Sequence, residues 1–213
     1  MVFEGEAYQK ALKAYSRFHF SLRRFWEVVQ ALPKKPKAFL ERPLTYNELK
    51  TWISYFESIV LFEMRNEYPR SFKVKPDIYL IVINKDLPEL NQVFCLAHEF
   101  SHCFLGHLDD PLKALYDTWP GARRSMELAA DLFGCLCAFG NDKLIPDKRP
   151  SSKINPEDWG NILAQSVSPK RAKKILKNPG LLDDLINGSH LPWEIAKEKY
   201  RALLDKVIYE GMP

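Results

Sequence analysis

The chain has 213 residues, 46% hydrophobic and 27% charged, with a net charge of +4. That is enough sequence for one sizeable core with an accessory layer, in a composition ordinary for a globular protein. No apolar run approaches a transmembrane span, and the start MVFEGEAYQK lacks the basic-then-apolar order of a signal peptide, so a cytoplasmic protein without membrane contact is expected.

From Glu6 to Leu32, apolar Leu12, Tyr15, Phe18, Leu22, Phe25, Trp26 and Val29 recur at helical spacing, and Pro33-Lys-Lys-Pro36 breaks the stripe. A second helix is signalled at Thr45, with Glu48 as its capping-box partner, and is expected to run through Leu49, Trp52, Ile53, Phe56, Val60 and Phe62 toward Glu67, ending at Tyr68-Pro69. Phe72 to Val74 reads as a short strand. Ile78 to Ile83, bounded by Pro76-Asp77 and Asn84-Lys-Asp86, reads as a full one.

The stretch Leu96 to His107, LAHEFSHCFLGH, carries the chemistry. On a helix starting near Pro88 to Asn91, His98 and His102 stand one turn apart on one face, with the Glu99 carboxylate beside them. Apolar Phe94, Leu96, Ala97, Phe100, Phe104 and Leu105 surround them, so the helix is buried, and a metal ion satisfies two imidazoles and a carboxylate there together. Gly106 is a natural C-terminal stop. Two imidazoles and a third ligand would hold Zn²⁺, one per chain, with Glu99 as general base; such a set also suits Mn²⁺.

The third ligand is expected on a helix around Met126 to Gly134, at Glu127, 25 residues beyond His102. Small Ala129 and Ala130 would let the two helices approach, and Asp131 could accept the outward N–H of a ligand histidine. His107 falls one residue out of the spacing of a third histidine ligand in metzincins, and is expected to pack or hydrogen-bond where the helix ends. The four cysteines, Cys95, Cys103, Cys135 and Cys137, match no metal or disulfide framework and read as buried small hydrophobes.

After Gly140, residues 143–155 read as a linker or surface loop. Ser168-Pro169 would open a basic helix through Lys177, and a last helix is expected from Pro192 to Gly211. His190 precedes that helix and could swing toward the cleft as an oxyanion donor. The flanks are basic and the middle acidic: residues 45–142 hold nine Lys/Arg against fourteen Asp/Glu. No helix-turn-helix, zinc finger or other nucleic-acid module is present, so direct nucleic-acid contact is not expected.

LAHEFSHCFLGH, preceded by IVIN and followed by ELAADLFG, resembles the ImmA/IrrE family of bacterial and phage metallopeptidases. There a Leu-Ala-His-Glu-x-x-His-x-x-x-Gly-His segment is followed by a Glu-x-x-Ala-Asn/Asp-x-Phe-Ala helix. The similarity runs from about Tyr79 to Gly140. It departs at Gly134, where alanine is usual, and at Cys135, Cys137 and Phe139, where the family often has Leu-Leu-Met-Pro. The resemblance implies a gluzincin-type zinc endopeptidase whose relatives cut helix-turn-helix repressors. The expected fold is α+β, a zincin-like core with a small twisted sheet and a mainly helical surround. Residues 1–142 would form the catalytic domain and residues 143–213 a linker and helical extension packed on it. An alternative is a non-catalytic, metal-stabilised regulator that grips a protein partner without cleaving it; only the peptidase needs Glu99.

Overall fold

A computed structural model describes residues 21–110, 112–142, 145–150 and 190–209. They form an α+β fold of six helices and a three-stranded mixed sheet. The basic helix expected after Ser168 and most of the expected linker lie outside these residues.

Helix α1, Leu22–Ala31, starts at Ser21, whose backbone is extended (φ −130°) and whose hydroxyl accepts from the Arg24 N–H. The part of the expected stripe before Ser21 lies outside the described residues. Helix α2, Tyr46–Ser54, carries the anticipated capping box: Thr45 Oγ1 accepts from the Glu48 N–H at 3.2 Å, and Glu48 Oε2 from the Thr45 N–H at 2.8 Å.

The second helix is shorter than its apolar pattern predicts. It ends at Ser54, and Val60 and Phe62 belong to strand β1, Ile59–Met64. The run Ile59-Val-Leu-Phe62 fits a helical stripe only if Phe56 continues it. Its β-branched and aromatic residues instead pair in parallel with strand β3, Ile78–Asn84. Strand β2, Arg70–Lys75, pairs antiparallel on the other side, giving the order β1-β3-β2. The central strand buries Tyr79, Ile81 and Ile83.

Asn84 Oδ1 accepts from the Asp86 N–H in the turn after β3, and helix α3, Glu89–Phe104, follows. Helix α4, Leu112–Thr118, was not expected from the sequence. Helix α5, Pro120–Phe139, extends the anticipated Glu127 helix at both ends. Its Ala129 and Ala130 are fully buried, and a Cβ on Gly134 would stand 2.9 Å from the Phe94 ring. So α3 and α5 meet almost backbone to side chain. Phe100, Phe104, Phe133, Trp52 and Phe56 fill the core between them and α2, in edge-on and tilted pairs 4.8–6.0 Å apart.

Helix α6, Trp193–Tyr209, buries Ala196, Tyr200, Leu203 and Leu204, and the Tyr200 hydroxyl donates to the Gly140 carbonyl where α5 ends. No described helix is long and apolar enough to cross a membrane.

Candidate metal centre

Helix α3 presents His98 and His102 from one face, and their Nε2 atoms lie 3.2 Å apart. Helix α5 brings Glu127 opposite them: its Oε2 is 3.2 Å from His98 Nε2 and 3.8 Å from His102 Nε2. A tetrahedral zinc ion with ligands at 2.0–2.1 Å has donor–donor edges of about 3.3 Å. The three atoms therefore fit a divalent ion of that size, and all three residues are buried. Two facing imidazole nitrogens and a carboxylate oxygen converge on a point where lone pairs repel unless a cation or proton lies between them.

Each donor is braced from behind. His98 Nδ1 lies 3.2 Å from Asp131 Oδ1, one turn beyond Glu127 on the same helix. His102 Nδ1 lies 2.9 Å from His107 Nδ1. The Tyr116 hydroxyl, from α4, donates to Glu127 Oε1, leaving Oε2 to face the histidines.

Charge follows this geometry. Burial alone would depress His98, but its contacts to Asp131 and Glu127 outweigh that and push it up to about 10. Burial lowers His102 and lowers His107 further, so His107 is neutral and able to accept. Burial would raise Glu127, yet His102, His98 and His190 hold it well below the usual carboxylate range. Asp131 is likewise held low against its burial, by His190, His98 and Arg149. Burial, then the adjacent Glu127, push the Tyr116 phenol up, which keeps it a donor.

Glu99 points to the sheet side of the same centre, where Ser71 Oγ on β2 donates to its Oε2 at 2.6 Å. Among the described residues β2 pairs with β3 alone, and its Arg70 and Ser71 border the cavity. That cavity, of about 350 Å³, is lined by His98, Glu99, His102 and Glu127, with Ser71 on one wall and Tyr116 on another.

The structure thus gathers His98, Glu99, His102 and Glu127 at one cavity, and adds residues the sequence did not single out. Ser71 and Tyr116 carry no spacing signal, because each arrives from its own element through tertiary packing. His190, read from the sequence as able to swing toward the cleft, also stands at the centre, with Nε2 3.3 Å from Glu127 Oε2. With His98 and Glu127, but without His102, it forms a group of potential ligand atoms all within 4.8 Å of one another.

An α+β fold in which two helices converge His and Glu donors on one point, with a further carboxylate in the same cavity, defines a metallopeptidase type of centre. Residues 58–159, just under half of the chain, match the model of the IrrE N-terminal-like domain, Peptidase_M78, a similarity consistent with an ImmA/IrrE family member. The match takes in the sheet, α3, α4 and α5, and ends before His190. No curated protein and no solved structure matches the chain.

Proposed function

We propose that the chain is a zinc-dependent endopeptidase in which His98, His102 and Glu127 hold the ion and Glu99 is the general base, its substrate a protein of the helix-turn-helix repressor class. The observation that carries this reading is the position of Glu99: its carboxylate shares one cavity with the three converging donors and is steadied by Ser71 at 2.6 Å. A divalent ion at such a centre supplies Lewis acidity toward a peptide carbonyl and lowers the pKa of water.

The chain's own groups account for the rest. Glu99 takes the proton of the attacking water and returns it to the leaving amine. Ser71 holds Glu99 in place by donating to Oε2, which leaves Oε1 for the water. Tyr116 fixes the rotamer of Glu127, and Asp131 and His107 fix the ring planes of His98 and His102. The edge of β2 lies where an extended peptide could add as a further strand beside Glu99. The repressor class rests on the family resemblance.

Glu99→Gln tests this reading. The variant should keep its fold and one ion per chain, still bind a candidate repressor, and lose cleavage by about 10²–10⁴-fold, followed by mass spectrometry of the products. Undiminished function in Glu99→Gln, with the partner uncut by either form, would instead favour a regulator that binds without cutting.

A further inference from the structure

His190 reaches the centre from outside the matched family domain, and its surroundings are those of a ligand. Its Nε2 lies 3.3 Å from Glu127 Oε2, against 3.2 Å for His98 Nε2 from the same oxygen. Both spacings are close to the edge of about 3.3 Å expected of a tetrahedral zinc site. The other side of the ring repeats the pattern. Asp131 uses Oδ1 toward His98 Nδ1, at 3.2 Å, and Oδ2 toward His190 Nδ1, at 3.5 Å. One buried carboxylate thus stands behind two imidazoles whose Nε2 atoms face the same glutamate oxygen. A carboxylate behind the outward nitrogen is the usual brace of a metal-bound histidine.

The backbone next to His190 is tied down. Arg149 Nη2 donates to Asp131 Oδ2 at 2.7 Å and to the Leu191 carbonyl at 2.9 Å, and Trp193 Nε1 donates to the Pro146 carbonyl at 2.8 Å. Arg149 also offsets the charge of a carboxylate that would otherwise be costly to bury. The ring itself is less constrained than its backbone. His190 Nδ1 is 3.5 Å from Asp131 Oδ2, against 3.2 Å between His98 Nδ1 and Asp131 Oδ1, so the same carboxylate holds His190 more loosely than His98. A loosely held ring nitrogen on an anchored backbone leaves the imidazole room to advance or withdraw.

We propose that His190 is a fourth, detachable protein ligand, so that the resting centre is closed by His98, His102, Glu127 and His190, and opens beside Glu99 only when the His190 imidazole turns away. This rests on the reading of His98, His102 and Glu127 as ligands. A centre with four protein ligands has no position for water, as in structural zinc sites, whereas three ligands leave one. The protein would therefore be latent until a substrate carbonyl or another donor replaces His190.

The test is X-ray absorption spectroscopy of the full chain loaded with Zn²⁺, which counts imidazoles around the ion. Three are expected in the wild type and two in both His190→Ala and His190→Gln, with the ion retained. Acetohydroxamate, a bidentate zinc ligand, should bind the two variants more tightly than the wild type, because it no longer competes with His190. Two imidazoles in the wild type would overturn the proposal while leaving the three-ligand reading in place. A wild-type chain that binds no ion would overturn both. The wild-type count decides the matter even if a variant misfolds.

Discussion

The Nδ1 atoms of His102 and His107 lie 2.9 Å apart because of how α3 ends. Gly106 takes φ +70°, and the chain turns so that the His107 N–H donates to the His102 carbonyl at 3.0 Å and the Gly106 N–H to the Cys103 carbonyl at 3.2 Å. These are the two bonds of a Schellman motif. They fold His107 back beneath the ring of His102. If His102 binds metal through Nε2, its proton sits on Nδ1, and the neutral His107 Nδ1 accepts it. His107 then stands to His102 as Asp131 stands to His98.

This arrangement separates ligand from brace. His102→Ala and Glu127→Ala should each abolish stoichiometric metal binding. His107→Ala should keep the ion with affinity lowered about 10–100-fold. Competition with a chromogenic chelator measures all three. Wild-type affinity in His107→Ala would show that the contact does not orient His102.

Gly134 should not tolerate the alanine usual in the family. An added Cβ would stand 2.9 Å from two atoms of the Phe94 ring and 3.2 Å from the Phe94 carbonyl oxygen. The ring cannot easily yield, since it packs edge-on against Trp193 at 5.8 Å and lies 6.2 Å from the His98 ring. Overpacking of this kind costs about 1–3 kcal/mol. Better helix propensity returns about 1 kcal/mol. Gly134→Ala should therefore be destabilised by up to about 2 kcal/mol in urea unfolding, and Phe94→Leu in the same chain should recover part of the loss. A more stable Gly134→Ala would refute this packing account.

Acid stability should carry a contribution from the cap of α2. The Arg42 guanidinium, at 2.6 and 3.0 Å, and then the Thr45 N–H hold Glu48 down from its ordinary 4.5 to about 2. A carboxyl depressed in the folded state stabilises above its unfolded pKa, and the contribution fades as pH falls from about 4.5 through about 2. The pair is partly exposed, so the effect is small, below about 1 kcal/mol. Glu48→Gln keeps the capping bond but removes the titrating charge. It should be less stable than the wild type at pH 7 and equal to it below pH 2, in urea titrations of the metal-free protein. A difference that does not change with pH would refute the assignment.

Local pattern carried a large part of this protein. The helical period placed His98 and His102 on one face with Glu99 beside them, because 3.6 residues per turn makes neighbours of positions four apart. Thr45 and Glu48 marked the start of α2, and Gly106 the stop of α3, because capping depends on residues within one turn. The α+β class was legible from the same short-range signals. Where local signals agreed with two structures, tertiary pairing decided. Ile59 to Phe62 fitted the tail of a helical stripe, and its ladder with β3 made it a strand. The remaining parts of the centre arrive from elements far apart in the chain: Ser71 from a strand edge, Tyr116 from a short helix, and His190 from a backbone tied through Arg149 to Asp131. A lone serine or tyrosine has no period or spacing to reveal it, and a lone histidine such as His190 can be read only as near the cleft, so their roles are set when packing carries them to within a few ångströms of a buried charge.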